Sequence, residues 1–271
     1  MNRAFRLPAA GLLVALFAVS AASCGPGSVA PQEDWNVAAS LVSPVTGSGQ
    51  ESMSMFTVIG DDWYFVSRGE RATAIVDQHE VVEVVFETRM PDTDNLTVDA
   101  AGARSAAETY VEQGGYVVSG DLARYQESTK EIHQAGVALI DVTFSPPDAA
   151  MTPLPGAVGA QGWWHDLEVL VNGSNGQVFA LVDHANAWGK GVLAPVLGEG
   201  RAVELAQSAA SGPVLALRSA YLCLQCAVST ERSSSYWEVL LGSAGSSAPA
   251  TDAAGVTVDV DANSGEANVQ P

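Results

Sequence analysis

Val260-Asp261-Ala262-Asn263-Ser264-Gly265-Glu266 and the earlier Val171-Asn172-Gly173-Ser174-Asn175-Gly176-Gln177-Val178 are the two stretches on which the fold turns. Each leads a valine into a cluster of Asn, Asp, Ser and Gly. Those residues tolerate left-handed backbone or bond the amides of their own turn. Apolar runs flank them: Leu167 to Val171 and Val178 to Val182 around the first, and Val256 to Val260 before the second. Run, turn cluster and run together predict β-hairpins. Aligned on the turns, Val171 matches Val260, Asn172 matches Asp261, Gly176 matches Gly265 and Gln177 matches Glu266, an offset of 89 residues.

Upstream of each hairpin lies a helical pattern. Ala103, Ala106, Ala107, Tyr110 and Val111 recur with helical spacing and form one apolar stripe. Thr97 is placed to cap it, Asp99 suits the positive end of its dipole, and Gly114-Gly115 stops it. Ala202, Leu205, Ala206 and Ala209 repeat a shorter stripe, closed by Gly212-Pro213. Val137 to Phe144, Val214 to Val228 (one strand or two) and Trp237 to Leu241 read as strands. Residues 119–134 fit a helix or a polar strand equally. Residues 145–162, with their Pro and Gly, read as a loop, as do Gly242 to Gly255. The expected architecture is α+β, in two tandem units over 95–190 and 191–271. Each is an Ala-rich helix packed on a small antiparallel β-sheet.

Ahead of these units, Trp63 to Val66, Ala72 to Val76 and Val81 to Phe86 are strand-like, with Asp77-Gln78-His79-Glu80 as a turn. Residues 51–94 therefore read as N-terminal strands, a truncated echo of the repeat. Residues 24–50, and in particular the Gly, Pro, Ser and Ala of 25–50, read as a flexible tether. A folded segment around Trp35 is the alternative. Residues 1–23 carry Arg3 and Arg6 before an apolar run from Ala9 to Val19, too short to span a bilayer comfortably. The run ends in Ala21-Ala22-Ser23-Cys24, which resembles a bacterial lipobox, with Ala21 where Leu is usual. The resemblance implies cleavage before Cys24 and lipidation of its thiol. The chain is then exported and lipid-anchored to the cell envelope. Residue 25 is Gly rather than Asp, so the outer membrane is the expected destination if the source is Gram-negative. An ordinary secretory signal, with Cys24 unmodified, is the alternative.

Helix, strands and a Val-Asp/Asn-x-x-x-Gly-Glu/Gln hairpin in each unit resemble the PepSY-like domain of secreted and membrane-anchored bacterial proteins. Val260 to Glu266 carries the resemblance most closely. It implies a non-catalytic module, with peptidase binding or inhibition proposed for some members, and it transfers no catalytic residue.

The charge narrows the function further. The chain has 12 Lys and Arg against 31 Asp and Glu, a formal charge of −19. Loss of residues 1–23 removes two Arg and no acid, leaving −21. Such a surface excludes nucleic acid as a partner and repels anionic lipid. Membrane attachment would belong to the lipid on Cys24 alone.

Cys223-Leu224-Gln225-Cys226 is the most chemical-looking motif. In an oxidising compartment a disulfide between Cys223 and Cys226 is the first reading, buried free thiols the second and a redox site the third. Residues three apart on a regular strand face opposite ways, so a bridge requires a turn or bulge at Leu224-Gln225. With no second Cys pair and scattered His, a zinc site is not expected. Asp259, Asp261 and Asn263 place oxygens at alternate positions, as calcium loops do, but the sixth and twelfth positions are Ser264 and Gln270. A hairpin turn is the preferred reading, and no metal or cofactor is predicted. Trp163-Trp164-His165-Asp166 and Asp61-Asp62-Trp63 suggest a sugar-stacking or acid–base site, or equally the rim of a core. Neither a Gly-x-Ser-x-Gly elbow nor a His-Glu-x-x-His motif is present.

The sequence thus predicts a non-enzymatic binding or regulatory module that binds or inhibits an exported peptidase or other envelope protein. Its exposed strand edges would accept a peptide by strand addition. A carrier of lipid or a small apolar ligand, lined by Trp163 and Trp164, is the second hypothesis. A hydrolase with an unrecognised site is the third.

Overall fold

Helices are built where small and apolar residues recur at helical spacing, and the first of them falls inside the expected tether. The computed structural model describes residues 30–47, 53–59, 62–67, 71–77, 79–114, 122, 125–145, 166–184, 195–210, 215–229, 232–243 and 255–270. Residues 1–29, with the expected signal segment and Cys24, lie outside them, as do Trp163, Trp164 and His165. Helix α1 spans Gln32–Thr46 and buries Ala38, Ala39, Leu41 and Val42, so the second half of the tether is corrected to a core element. Counting Gly, Pro, Ser and Ala together hid it, because Ala is the strongest helix former of all. Pro31 precedes the first turn, where no amide is needed, and Gly47 closes the last with its amide on Ser43 O at 2.8 Å. Burial of Leu41 and Val42 stabilises the docked helix by roughly 1.5–3 kcal/mol each.

Four strands follow α1: β1 Met53–Ile59, β2 Asp62–Ser67, β3 Ala72–Asp77 and β4 Glu80–Phe86. A 3-10 turn, Glu87–Arg89, leads to α2, Ala100–Gln113, and then to β5 Gln126–Gln134, β6 Val137–Ser145, β7 Leu167–Asn172 and β8 Val178–Asp183. The same order comes round again with α3, Glu199–Ala209, and β9 Leu215–Ser229, β10 Arg232–Ser243, β11 Val256–Asp261 and β12 Ala267–Val269. Helix α1 precedes the four N-terminal strands, as α2 and α3 precede theirs.

The expected two small sheets are also corrected. The first eight strands form one antiparallel sheet in the order β1-β2-β3-β4-β8-β7-β6-β5, and the last four form a second, β12-β11-β10-β9. The seam of the large sheet joins β4 to β8 through Glu83↔Val182, Val84↔Leu181 and Val85↔Ala180. The seam is antiparallel, and α1 and α2 pack on the same face of the sheet. The helices meet over the seam, where Tyr110 Oη donates to Leu41 O at 3.1 Å and the Tyr110 ring stands edge-on to Phe86.

Strand side chains alternate between two cores. Phe65, Ala74, Val84, Phe86, Ile140, Val142 and Val169 face the α1–α2 layer. Ile75, Val82, Val85, Leu139, Leu170 and Phe179 face α3 and the small sheet, which contribute Ala202, Ala206, Trp237, Val239 and Val258. Cover on both faces explains the near-continuous apolar run of β4.

Both diagnostic hairpins form, with one bond pattern. Gly176 N donates to Asn172 O at 2.8 Å and Asn172 N to Gln177 O at 2.8 Å. Gly265 N donates to Asp261 O at 3.0 Å and Asp261 N to Glu266 O at 2.8 Å. Gly176 and Gly265 hold φ of 76° and 75°. The helix leads dock identically: Thr97 N and Val98 N both donate to Gly173 O, as Val196 N and Leu197 N do to Ala262 O. Thr97 is not the cap expected of it. Its hydroxyl donates to Ser174 O at 2.5 Å, while the Asp99 carboxylate caps α2 by accepting from Gly102 N at 2.8 Å.

A Cβ at Gly265 would meet Leu205 at 3.1 Å and Ala135 at 3.2 Å on top of its positive φ. Gly265→Ala is therefore expected to cost about 1–2 kcal/mol. Urea denaturation of residues 24–271 measures this, and an unchanged midpoint would contradict the turn geometry.

A polar joint fixes the third helix to the large sheet. Arg71 reaches Glu87 at 2.7 Å and Glu199, in the first turn of α3, at 2.5 Å. Arg201 Nε donates to Ala135 O at 3.0 Å, and Gln134 Nε2 donates to Asn263 O.

Candidate functional site

Strand β5, Gln126-Glu127-Ser128-Thr129-Lys130-Glu131-Ile132-His133-Gln134, has almost no apolar pattern of its own. It is a strand because β6 beside it is apolar and buried, and because Ala135 (φ 53°) and Gly136 (φ 82°) form a tight two-residue turn. Nine consecutive residues pair, from Gln126↔Ser145 to Gln134↔Val137, with no slip in register. β5 closes the large sheet, and among the described residues no strand pairs with its outer side.

The other edges are broken. β1 slips between Met55 and Thr57. β12 is three residues long. β9 is long, but its register against β10 slips three times. Bulges and short strands spoil a template for further pairing. β5 keeps the longest even ladder of these edges, and its charged side chains oppose edge-to-edge association.

The cross-strand partners set its two rows. Glu127, Thr129, Glu131 and His133 lie on the helix side, where Arg104 Nε contacts Glu127 at 2.8 Å and His133 Nδ1 contacts Asp94 at 2.6 Å. Ser128, Lys130, Ile132 and Gln134 lie on the opposite side, and Ile132 packs against the lower core. Behind Lys130 the sheet carries a polar cluster. Lys130 is paired with Asp141 on β6, and Thr143 with Glu168 on β7. Thr143 Oγ1 donates to Asp141 at 3.1 Å, and His184 Nε2 lies 2.7 Å from Glu168.

Burial, followed by repulsion from Glu168, pushes the Asp141 carboxyl up to about 6, against the pull of Thr143, Lys130 and His184. Burial works to lower the His184 pKa, but the Glu168 bond and the charges of Asp166 and Asp183 raise it above the ordinary histidine value. Asp141 therefore keeps its proton to a higher pH than an ordinary aspartate does. Sequence reasoning missed the cluster. Its one signal is a single acid within each of two apolar strands, Asp141 in β6 and Glu168 in β7.

Among the described residues, those singled out by sequence do not converge on one site. Cys223 is disulfide-bonded. It lies opposite Tyr236 while Cys226 lies opposite Ser234, so Leu224 and Gln225 share the single residue Ser235. That is the bulge a bridge across the motif requires; the Cys226 side chain is outside the described set. The Asp261 carboxylate accepts from Asn263 N at 2.9 Å and Ser264 N at 2.7 Å, so it builds its own turn. Asp259 accepts from Gln270 and sits opposite Glu238; burial raises the pKa of both carboxyls, and the Asp259 charge raises that of Glu238 further. Among the described residues no group of three His, Cys, Asp or Glu side chains is placed to hold a metal ion.

No family model and no curated protein matches the chain. Among solved structures, the Bacillus megaterium YpeB C-terminal domain is similar over 89% of this chain and 97% of its own, at 9% identity and a TM-score of 0.38.

Proposed function

We propose that this chain is a lipid-anchored, non-enzymatic binding module of the cell envelope, which takes an extended segment of an exported protein onto the β5 edge. One observation carries the reading. β5 is a nine-residue edge strand in unbroken register, with its outer backbone groups turned away from the sheet. Those groups supply affinity in strand addition, and the flanking side chains supply selectivity. The three helix-plus-four-strand sets are read as three copies of one unit, of PepSY-like type, and Cys226 as the partner of Cys223.

Helix α1 shortens the tether and so restricts the partner. Buried Ala30 follows Cys24 by six residues. Fully extended, those residues span about 20 Å. A lipid on Cys24 would hold the folded body close to the bilayer, and the partner would be membrane-proximal too.

The test is panning of a random linear peptide library against the signal-less Cys24→Ser chain, followed by hydrogen exchange. Selected peptides are expected to slow exchange at alternate amides of β5. A footprint on any other element, or no selection at all, overturns the reading. The anchor is checked by palmitate labelling in the full chain, and labelling that persists in Cys24→Ser refutes it.

A further inference from the structure

The side chains that border the β5 edge differ along its length, and a strand added there would sit against each in turn. Its residues would stand about 4.5–5.5 Å from their opposites. Exposed Glu131 belongs to the helix-side row, and exposed Lys130 to the opposite row. Half-buried Ile132 joins the lower core. Glu127, further along, is already engaged by Arg104 at 2.8 Å, and His133 by Asp94 at 2.6 Å. Lys130 stands beside Asp141 within the sheet but stays exposed, so selectivity concentrates on Lys130, Glu131 and Ile132. All the strand pairs in both sheets are antiparallel, which sets the direction of the added strand.

We infer that the β5 edge selects an extended segment that reads, in its own N-to-C direction, a β-branched apolar residue, then Lys or Arg, then Asp or Glu. These stand opposite Ile132, Glu131 and Lys130 in that order. The inference rests on the strand-addition reading and names the chemistry of its partner. The apolar residue extends the lower core past Ile132, the base faces Glu131, and the acid faces Lys130. Like charges directly opposite one another would be repelled, so the order of the two charges matters and not merely their presence. The acidity of the whole chain favours a basic segment in general but does not distinguish Lys-Glu from Glu-Lys order. Only the row assignment does that.

The experiment compares two synthetic nine-residue peptides of equal composition. One carries Val-Lys-Glu at its centre and the other Val-Glu-Lys, each flanked by Thr and Ser. Their binding to the signal-less Cys24→Ser chain is measured by calorimetry, with the footprint read by hydrogen exchange. The Val-Lys-Glu peptide is expected to bind about three- to tenfold more tightly, as two favourable pairs replace two unfavourable ones. Glu131→Lys is expected to erase most of that preference while leaving the β5 footprint in place. Equal affinities with a β5 footprint would overturn the selectivity and leave strand addition standing. A footprint away from β5 would overturn strand addition itself.

Discussion

Trp237→Ala is expected to cost about 3–5 kcal/mol of stability, the range for deleting a large buried aromatic. Trp237 is fully buried in β10, opposite Leu222 and Val260 and beneath α3. Its indole Nε1 donates to Leu197 O at 2.7 Å. Leu197 N in turn donates to Ala262 O, on the β11–β12 hairpin. One side chain therefore fills the core of the small sheet and also ties down the lead of α3. The cost has two parts. Trp237→Phe keeps most of the packing but leaves Leu197 O without its donor, and is expected to lose about 1–3 kcal/mol. Urea denaturation of residues 24–271 separates the two variants. A loss below 1 kcal/mol for the alanine would show that this core is not what holds the third helix–sheet set together.

The second large effect is a fall in stability as pH rises from about 4.5 to 7. The Glu87 carboxyl is pushed up to about 7, mainly by burial and also by the Glu199 charge, with Arg71 opposing. In the unfolded chain Glu87 loses its proton near 4.5. Between those values the folded state binds more protons than the unfolded one, so raising the pH favours unfolding. Below 4.5 both states are protonated and no penalty applies. Above 7 both are ionised and the full penalty stands, on the order of 3 kcal/mol. Asp141, raised to about 6, adds a fall in the lower part of the same window. Glu87→Gln isolates the first contribution. Between pH 5 and pH 8 the variant should gain about 2–3 kcal/mol relative to the parent chain. Parallel pH profiles for the two would show that Glu87 is ionised freely in the folded state. Since Arg71 joins Glu87 to Glu199 on α3, this effect acts at the joint between the large sheet and the third set.

The sequence was most informative where local chemistry alone decides the backbone. Gly176 and Gly265 need positive φ, and Asn172 and Asp261 bond their own turn amides, so both hairpins were legible from their residues. The Ala stripes of α2 and α3 were legible for the same reason, since helical spacing repeats within one segment. At α1 the pattern was present, but composition outweighed it: Ala38, Ala39, Leu41 and Val42 form a stripe in a stretch with Pro31 before it, Pro44 within its last turn and Gly47 after it. β5 was undecided because a polar edge strand carries no periodicity that separates strand from helix. Its partner β6 supplies the decision through nine backbone pairs. The candidate site follows the same division. The charged residues of β5 were visible in the sequence, but its position at the edge of the sheet, among the described residues, was not.

What the sequence determined by itself is the set of elements with built-in signals: the hairpins, two of the helices and the excess of acidic residues. What only the tertiary structure decided is their assembly. β4 and β8 meet by pairing just three residues each, from segments about a hundred residues apart, and the pairing fuses two four-stranded sets into one sheet. No local pattern announces that seam. Backbone hydrogen bonds across it are the same for any sequence, and what selects it is burial of both faces at once, by α1 and α2 above and the third set below. The same seam covers the inner edges of both sets and leaves β5 at the rim, which is why the proposed binding edge became visible only in the folded chain.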